Sequence, residues 1–304
     1  MAEQYPGHGE GIHIRELRPE EVESAAKFWF EDLGFDVGVR LFQRWYDQDP
    51  EAFRCIVDEN GTIVATASAV RQTEGLYYIG TVGVDEAHRG RGLAKRLIRS
   101  LRRRDPNANY GLSAVPSYLS LYEGLGFQVV EQPFAHIYKG ALREPLKKTQ
   151  RPEGTELLEI FNGHPRFQEI EDYDARIHGY RRELGKTLID DEDGVVYAMV
   201  RRERIIGFGK VQSNQRDQGA WFGPVYADDD ESAQYIFSQL LERFQRQAQT
   251  SIYVIVSYLA RHWAEELNLQ LIEKSPRCYV NVDQVPAMLY QHLYAFDSLD
   301  FSLM

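Results

Sequence analysis

Residues 76–94 read LYYIGTVGVDEAHRGRGLA and divide into two parts. The first part, 76–84, is an apolar run of aromatic and β-branched residues without proline, which predicts a buried β-strand. The second part contains Arg-Gly-Arg-Gly at 89–92, after which Leu93 and Leu97 recur at helical spacing among basic residues. The stretch therefore predicts a strand, a glycine-bearing turn and the start of a helix.

The predicted turn has the physical features of an anion-binding site. A helix N-terminus carries unpaired backbone N–H groups and about half a positive charge. Gly90 and Gly92 lack a Cβ atom and let a ligand approach the backbone, and Arg89 and Arg91 add positive charge. We therefore expect a phosphate or pyrophosphate here, although a glycine-rich turn in an ordinary α/β unit would show the same four letters.

Two common phosphate-binding motifs are excluded. A P-loop needs Gly-x4-Gly-Lys-Ser/Thr, and that spacing is absent from this stretch. The dinucleotide fingerprint Gly-x-Gly-x-x-Gly would need glycine at position 95, where the chain has Lys95. The turn therefore belongs to another class of anion site.

Two motifs in this region resemble those of the GCN5-related N-acetyltransferase (GNAT) family. Arg89-x-x-Gly92-x-Ala94, preceded by a strand ending at Val84, is similar to the family's acetyl-CoA pyrophosphate loop. The sequence YEGLGF at 122–127 is similar to the family's LYEKLGF ending. The resemblance covers roughly residues 12–138. It implies a mixed, splayed central β-sheet that is flanked by helices and holds the cofactor in its split.

The resemblance also implies which residues contact acetyl-CoA. The backbone around Val82, Gly83 and Val84 would face the pantetheine and acetyl group. The pyrophosphate would be cradled by Arg89, Gly90, Arg91, Gly92, Leu93 and Ala94. Tyr122 occupies the position of the tyrosine that protonates the leaving thiolate, with a packing role in its helix as the alternative. Ser117 stands where many members have an asparagine that contacts the pantetheine arm.

The acceptor side of the predicted site is less well defined. In the family, the segment between the first two helices lines the acceptor pocket, and here it contains Phe30, Asp32, Phe35 and Asp36. Some members have a catalytic glutamate on the central strand, but residues 77–84 contain no acid and no histidine. The general base is therefore open among Glu74, Asp32, Asp36, His136 and a water chain.

The second half of the chain repeats the pattern of the first half without sharing its letters. It reads as strand, turn, strand, strand, loop, helix, strand, helix and strand, and it resembles the degenerate C-terminal domain of two-domain family members. Residues 227–231, ADDDE, stand where the pyrophosphate loop would be. Four acids would repel a pyrophosphate, whereas acids stabilise a bare helix N-terminus. We therefore predict that this half does not bind coenzyme A there.

The predicted fold class is α/β (α+β), with two GNAT folds in tandem. We place an acetyl-CoA-binding acetyltransferase domain at 1–144, a polar, proline-bearing linker at 145–155 and a degenerate GNAT-like domain at 156–304. A chain of 304 residues is long enough for two domains that each bury a core.

The composition argues against several classes of binding partner. The formal net charge of −11 argues against a general nucleic-acid binder, and the basic run 102–104 suits a solvated helix face or contact with coenzyme phosphates. Cys55 and Cys278 form neither a disulfide framework nor a metal site, and they suit buried thiols in a reducing compartment. No apolar run approaches the ~18 residues of a membrane helix, and residues 1–11 lack a signal peptide's apolar core. We expect a cytoplasmic protein without metal, nucleic-acid or membrane partners.

The predicted function is that of an acetyl-CoA-dependent N-acetyltransferase. It would move an acetyl group to a primary amine of a small molecule by direct attack in a ternary complex. Two alternatives stay open: a non-catalytic acyl-CoA-binding or regulatory protein on the same fold, and a peptide or protein Nα-acetyltransferase. The acceptor cannot be read from the fold, and the oligomeric state is open, with a homodimer as one option.

Overall fold

The structure, a computed structural model, describes residues 13–35, 37–130, 135–141, 149–182, 194–213, 219–246 and 251–299. The predicted leader at 1–11 and most of the predicted linker lie outside these residues. The described chain forms a seven-stranded sheet and an eight-stranded sheet, here called the first and the second sheet. Helices pack on the faces of both.

The first half of the chain begins with a strand and two helices. Its elements are β1 His13–Glu16, α1 Val22–Lys27, α2 Val39–Gln48, β2 Phe53–Val57, β3 Ile63–Thr73, β4 Leu76–Val84, α3 Leu93–Leu101, β5 Asn109–Ser113, α4 Leu119–Glu123, β6 Gln128–Val129 and β7 Ala135–Ala141.

The second half follows a similar order. Its elements are β8 Thr155–Ile160, α5 Phe167–His178, β9 Gly194–Arg201, β10 Arg204–Ser213, β11 Ala220–Ala227, α6 Asp230–Arg246, β12 Ser251–Val256, α7 Arg261–Glu266, β13 Gln270–Ser275, β14 Arg277–Tyr279 and β15 Leu293–Phe296. Across the described ranges, none of the helices combines the length and the apolar character that crossing a membrane would require.

The strand order shows that each half of the chain gives one strand to the sheet of the other half. The first sheet runs β1-β2-β3-β4-β5-β14-β6, and the second runs β13-β7-β12-β15-β11-β10-β9-β8. In the first sheet, Cys278 of β14 lies opposite Leu112 of β5 and Val129 of β6. The domain boundary at 145–155 stays a prediction. Strand β7, which precedes it, belongs to the second sheet, and β14, which follows it, belongs to the first.

Apolar side chains at the expected spacings cover both faces of each sheet. Helices α1 and α2 and the turn that follows α1 cover one face of the first sheet with residues that include Trp29, Phe42 and Trp45. Helix α3 covers the other face with Leu93, Leu97, Ile98 and Leu101. In the second sheet, α6 covers one face and α5 covers the other. A smaller apolar cluster of Leu76, Tyr78 and Tyr279 lies between the halves.

The two cysteines are buried and free, as predicted. Cys55 lies in β2 and Cys278 lies in β14, so both belong to the first sheet. Burial raises the pKa of each thiol to about 11. Both side chains therefore act as small packing groups.

Candidate active site

A β-bulge in β4 is the centre of the candidate site. Thr66 pairs with Gly83 and Ser68 pairs with Gly80, so two residues of β4 lie opposite one residue of β3. Thr81 has a φ of 46°, which is strained for a β-branched residue. Bulges and strained residues are concentrated at functional sites.

The bulge changes which face each side chain of β4 occupies. Tyr77 and Ile79 pack on the α3 face before the bulge, and Val82 and Val84 pack on that face after it. Gly83 therefore faces α1. A Cβ atom at position 83 would lie 2.2 Å from Leu33 Cδ1, so glycine is what allows the segment after α1 to pack against β4.

A chain of buried hydrogen bonds holds the bulge. Trp29 Nε1 donates to Thr66 Oγ1 at 2.8 Å, and Thr66 Oγ1 donates to the Thr81 carbonyl at 3.0 Å. Trp29 and Thr66 are both buried. The turn after α1, which carries Trp29, and the bulged backbone are therefore positioned together, because moving either would leave a buried polar group without a partner.

The first sheet splits beside the bulge. Strands β4 and β5 run parallel and pair only from Leu76↔Asn109 to Tyr78↔Gly111. In this register, the residues of β4 after Tyr78 have no partner on β5. We call the space between the two strands beyond Tyr78 the first split. The edge of β4 there carries backbone groups that can bond a ligand.

The glycine-arginine loop, residues 89–94, joins β4 to α3. Gly92 is the N-cap of α3, and Gly90 and Gly92 have φ values of 78° and 72°, where glycine is favoured. The first intrahelical bond runs from the Arg96 N–H to the Gly92 carbonyl at 3.1 Å. The N–H groups before Arg96 therefore have no intrahelical acceptor, as an anion site requires.

The loop is fixed to the end of β4 by side chains. Arg89 Nε donates to the Val84 carbonyl at 3.2 Å. Asp85 Oδ1 accepts from the Ala87 N–H at 3.1 Å and lies 2.7 Å from His88 Nδ1. The hydrogen bond from His88 lowers the pKa of Asp85. Arg89 is thus an anchor of the loop, and its backbone and Arg91 remain exposed.

Tyr122 and Ser117 follow β5, on the other side of the first split. Tyr122 of α4 is 8% exposed, belongs to the same apolar cluster as Leu93 and packs edge-on against Phe127. Ser117 is exposed in the 3₁₀ turn Pro116–Tyr118. Their assigned roles stay predictions.

The predicted acceptor segment begins with an irregular helical turn. Phe28–Asp32 forms a π-helix, in which the Leu33 N–H donates to the Phe28 carbonyl at 3.1 Å. Such turns often mark functional sites. Phe30 is half-buried, Asp32 is exposed, and Phe35 is 44% exposed with its ring 4.8 Å from that of Trp29. Asp36 lies outside the described residues.

Comparison with known families identifies both halves. The acetyltransferase (GNAT) family model matches residues 15–127, and an acetyltransferase (GNAT) domain model matches residues 170–295. The chain belongs to the GNAT acetyltransferase family. It is a two-domain member, and the predicted tandem fold is confirmed.

Solved structures share this tandem GNAT fold at low sequence identity. A putative acetyltransferase from Pyrococcus horikoshii is 16% identical, with a TM-score of 0.73 and 99% of each chain covered. A GCN5-related N-acetyltransferase from Sphaerobacter thermophilus is 15% identical, with a TM-score of 0.64, 89% of this chain covered and 96% of that one. A tandem GNAT protein from the clavulanic acid biosynthesis pathway is 11% identical, with a TM-score of 0.68 and coverages of 88% and 98%. No curated protein matches this chain.

The second GNAT fold has a split of the same kind, but the chain itself fills it. Strands β11 and β12 pair in parallel only from Ala220↔Ile252 to Phe222↔Val254. Beyond that point β15 lies between them and pairs with both. A Cβ atom at Gly223 would lie 2.0 Å from the Phe296 carbonyl oxygen, so glycine is needed where β15 enters. We call this space the second split.

The acids that replace the pyrophosphate loop in the second half are bound by protein groups. Asp229 accepts from the Ser232 N–H at 2.8 Å at the start of α6 and from Arg201 at 3.0 Å. Asp228 accepts from Arg176 at 2.6 Å. The loop is therefore a helix cap and a set of ion pairs, in agreement with the expected role of acids at a bare N-terminus.

Two of the candidate bases lie away from the first split. Glu74 is in the turn between β3 and β4, about 20 Å along the strand from Thr81. His136 lies in β7, which belongs to the second sheet. Among the candidate side chains that the structure describes, this leaves Asp32, which lies on the acceptor segment.

The basic run after α3 does not reach the loop. Arg104 forms a bidentate pair with Asp49 at 2.8 and 2.9 Å, and Arg102 donates to the Leu125 carbonyl at 2.8 Å. Both follow the C-terminal end of α3, whereas the loop precedes its N-terminal end. Contact with coenzyme phosphates, one of the two alternatives for this run, is therefore wrong for Arg102 and Arg104, which instead bind Leu125 and Asp49.

The fold brings polar residues to the first split from distant parts of the chain, and the local sequence patterns do not indicate them. The Tyr78 hydroxyl lies 2.8 Å from Ser113 Oγ and 2.8 Å from the Leu299 carbonyl oxygen. Arg277 lies opposite Ser113 in the register of β14 and β5. Alternation along β4 could have separated Tyr78 from the α3 face, but no local pattern pairs it with residues 113 and 299.

Proposed function

We propose that the first half is an acetyl-CoA-dependent N-acetyltransferase that acetylates a primary amine of a small molecule by direct attack in a ternary complex. The observation that carries the proposal is the combination, on one strand, of the Thr81 bulge, the first split and the glycine-arginine loop. Acetyl-CoA supplies an activated acetyl thioester when it is bound.

The residues around the first split suit this cofactor chemically. The unpaired N–H groups at the start of α3 and the exposed Arg91 suit a pyrophosphate. The edge of β4 at Val82, Gly83 and Val84 suits the amide groups of the pantetheine arm, and Ser117 offers a hydroxyl across the split. The remaining loop residues, Gly90, Leu93 and Ala94, act through their backbone.

Proton movement completes the proposed reaction. The amine must be neutral when it attacks; its N–C bond forms as the thioester C–S bond breaks, the nitrogen gives up its surplus proton to a base or to water, and the leaving thiolate takes up a proton. Tyr122 is the proposed donor because a phenol with an ordinary pKa near 10 suits a thiolate. The amine would enter past the segment that carries Phe30, Asp32, Phe35 and Asp36.

We further propose one cofactor site per chain. Strand β15 lies in the second split, and the acids at 228–231 stand where a pyrophosphate loop would be. Calorimetric titration of acetyl-CoA into the wild type should give about one site per chain, and Gly92→Glu should abolish binding. Two sites per chain would contradict the assignment of the second half.

A thiol-release assay tests the enzymatic role. Small primary amines and peptides with free N-termini would be compared as acceptors, with wild type and Tyr122→Phe. Turnover of small amines, reduced in the variant, supports the proposal. Binding of acetyl-CoA without turnover of any acceptor would favour a non-catalytic acyl-CoA-binding protein, and turnover of peptides alone would favour an Nα-acetyltransferase. The two buried free thiols support a cytoplasmic location.

A further inference from the structure

A group of buried and half-buried polar side chains lies where the two halves meet. We call Arg277, Tyr279, Tyr290, His178 and Tyr180 the interface cluster. Arg277 and Tyr279 belong to β14, the strand that the second half gives to the first sheet, and Tyr279 shares an apolar cluster with Tyr180. His178 ends α5, and its ring centroid lies 6.2 Å from that of Tyr180.

Arg277 carries a positive charge that no described carboxylate compensates. Its side chain is fully buried; it donates to Met288 Sδ at 3.0 Å and to the Tyr290 hydroxyl, and its Nε has no partner. The other buried guanidinium, that of Arg182, is bound by Asp174, with Nε donating at 2.7 Å. A buried charge without a counter-ion is costly, so a partner from outside the described chain is expected.

Three neighbours of Arg277 also have unused polar atoms. The hydroxyls of Tyr279 and Tyr180 and both ring nitrogens of His178 are buried and have no hydrogen-bond partner among the described residues. Burial, Arg182 and Arg277 hold the pKa of His178 well below its usual value, so its ring is neutral and still offers one N–H. His178 Nε2 lies 3.6 Å from Asp174 Oδ1. Buried polar groups are nearly always paired, and two unpaired hydroxyls and one ring N–H near one cation are the complement of an anion.

The cluster borders a cavity that both halves line. The cavity has a volume of about 340 Å³, and its wall includes Thr73, Glu74, Asn109, His178, Tyr180 and Gln284. This volume is at the small end of the range for ligand pockets. His178 and Tyr180 therefore line a cavity at the paired end of β4 and β5, whereas Arg277 lies level with Ser113, beyond that paired end and on the side of the first split.

The cluster also lies beside the first split. Arg277 is the cross-strand neighbour of Ser113, and Ser113 Oγ lies 2.8 Å from the hydroxyl of Tyr78, the last residue of β4 that pairs with β5. Neighbouring strands are about 4.8 Å apart, so two strand spacings, about 10 Å, separate β14 from β4 where they are paired. A small molecule can span this distance.

We infer that the interface cluster binds the carboxylate of the acetyl acceptor, which makes the acceptor a small amine of the amino-acid class. This inference rests on the proposed function. Arg277 Nε–H and the Tyr279 hydroxyl are the free donors closest to the first split in the strand register, and they hold the carboxylate. The amine of the same molecule then extends toward β4, where the acetyl group is transferred.

Matched acceptors test the inference. The full chain would be assayed with lysine and cadaverine, and with ornithine and putrescine; the members of each pair differ only by a carboxylate, and the terminal amine is several bonds away from it. We expect kcat/KM to be about 10- to 100-fold higher for each amino acid, the size of a lost charge-assisted hydrogen bond. Arg277→Met should remove this preference through KM, and Arg277→Lys should restore part of it.

A second pair of variants separates recognition from folding. Tyr279→Phe removes only an unpartnered hydroxyl, and it should raise KM severalfold for the amino acids but not for the decarboxylated amines. Tyr110→Phe is the matched control, because its hydroxyl bonds the Asp105 carbonyl on the α3 face. It should leave the preference unchanged.

The outcomes are distinguishable from failure of the proposed function. Equal kcat/KM for both members of each pair would overturn the inference and leave the acetyltransferase proposal intact. If no amine is acetylated, calorimetric titration of lysine and ornithine decides whether the carboxylate site exists. Binding that Arg277→Met abolishes would establish the carboxylate site without turnover, and absence of binding would overturn it.

Discussion

The first and second splits have the same topology and different occupants. In the first half, β4 and β5 separate after three residue pairs and leave an edge of β4 beside a loop with unpaired N–H groups. In the second half, β11 and β12 also separate after three pairs, but β15 fills the space and acids cap the helix that follows. One fold can thus leave its split open or fill it with an internal strand.

A few local features account for the difference. The first split depends on the bulge at Thr81 and on glycines with positive φ at 90 and 92. The second depends on Gly223, where a side chain would collide with β15. In both places the backbone must approach another group closely, and in the second that group is the chain itself.

The largest expected effect comes from separating the halves. A fragment of residues 1–144 lacks β14, which lies between β5 and β6, and a fragment of residues 145–304 lacks β7, which lies between β12 and β13. Each fragment would keep a sheet with a missing internal strand, so we expect neither to show cooperative thermal unfolding by circular dichroism. Coexpression of the fragments should restore the transition. A 1–144 fragment that folds alone and binds acetyl-CoA would show that the strand exchange is dispensable.

The next effect tests the open split through a matched pair of glycines. Gly92 and Gly61 have φ values of 72° and 82°, and a Cβ at either position would meet no atom within 4 Å. Gly92→Glu and Gly61→Glu should therefore cost similar stability, about 1 kcal/mol each. Only Gly92→Glu places a carboxylate at the anion site, so it alone should weaken acetyl-CoA binding, by more than about 100-fold. Calorimetry and thermal unfolding measure the two quantities, and equal binding by both variants would remove the loop from the cofactor site.

The sequence predicted the open split better than the filled one, for a physical reason. The apolar run at 76–84 and the helix after it are local patterns, and β4 has the predicted bounds. β15 consists of four buried residues, too few for a period to be read, and β13 is mostly exposed and mixed in character. The positions of β15 and β13 are decided by pairing with strands that are distant in the sequence.

The interface cluster was unpredictable for a related reason. Arg277 and Tyr279 stand beside Cys278 in a run that indicates a strand, but nothing in the run shows which sheet the strand joins. The bulge at Thr81 also inverts the alternation of β4, so Gly83 faces α1 and not the α3 face. The residues of the glycine-arginine loop could be predicted from the family resemblance, because they form a motif within one short stretch of sequence.

A pair of alanine substitutions should sharpen the comparison between the splits. In Gly223→Ala the new Cβ would meet the Phe296 carbonyl at 2.0 Å, and backbone cannot move away easily; we expect a loss of about 3 kcal/mol in unfolding free energy. In Gly83→Ala the new Cβ would meet the Leu33 side chain at 2.2 Å, which can rotate, so the loss should be nearer 1 kcal/mol. Gly83→Ala should instead raise the KM of the acceptor. Urea unfolding and steady-state kinetics separate the effects, and an equal stability loss in both variants would mean that the two contacts are equally rigid.

The smallest expected effect concerns two buried thiols. One is in β2, which pairs within its own half of the chain, and the other is in β14, which joins the sheet of the other half. Burial raises the pKa of Cys55 in β2 and of Cys278 in β14 to about 11, whereas an unfolded thiol titrates near 8.5. Between these values the unfolded chain loses its protons first, so the unfolding free energy should fall as the pH rises from about 9 to 11, by at most about 1.4 kcal/mol per pH unit for each thiol.

Single Cys55→Ala and Cys278→Ala variants should each reduce the slope by the contribution of one thiol, at most about 1.4 kcal/mol per pH unit. If β14 is bound as firmly as β2, the two thiols should also react with a disulfide reagent at the same rate, which is limited by global unfolding. Faster labelling of Cys278 would show that the exchanged strand opens before the sheet it joins, because a raised pKa protects a thiol only while the strand that carries it stays buried.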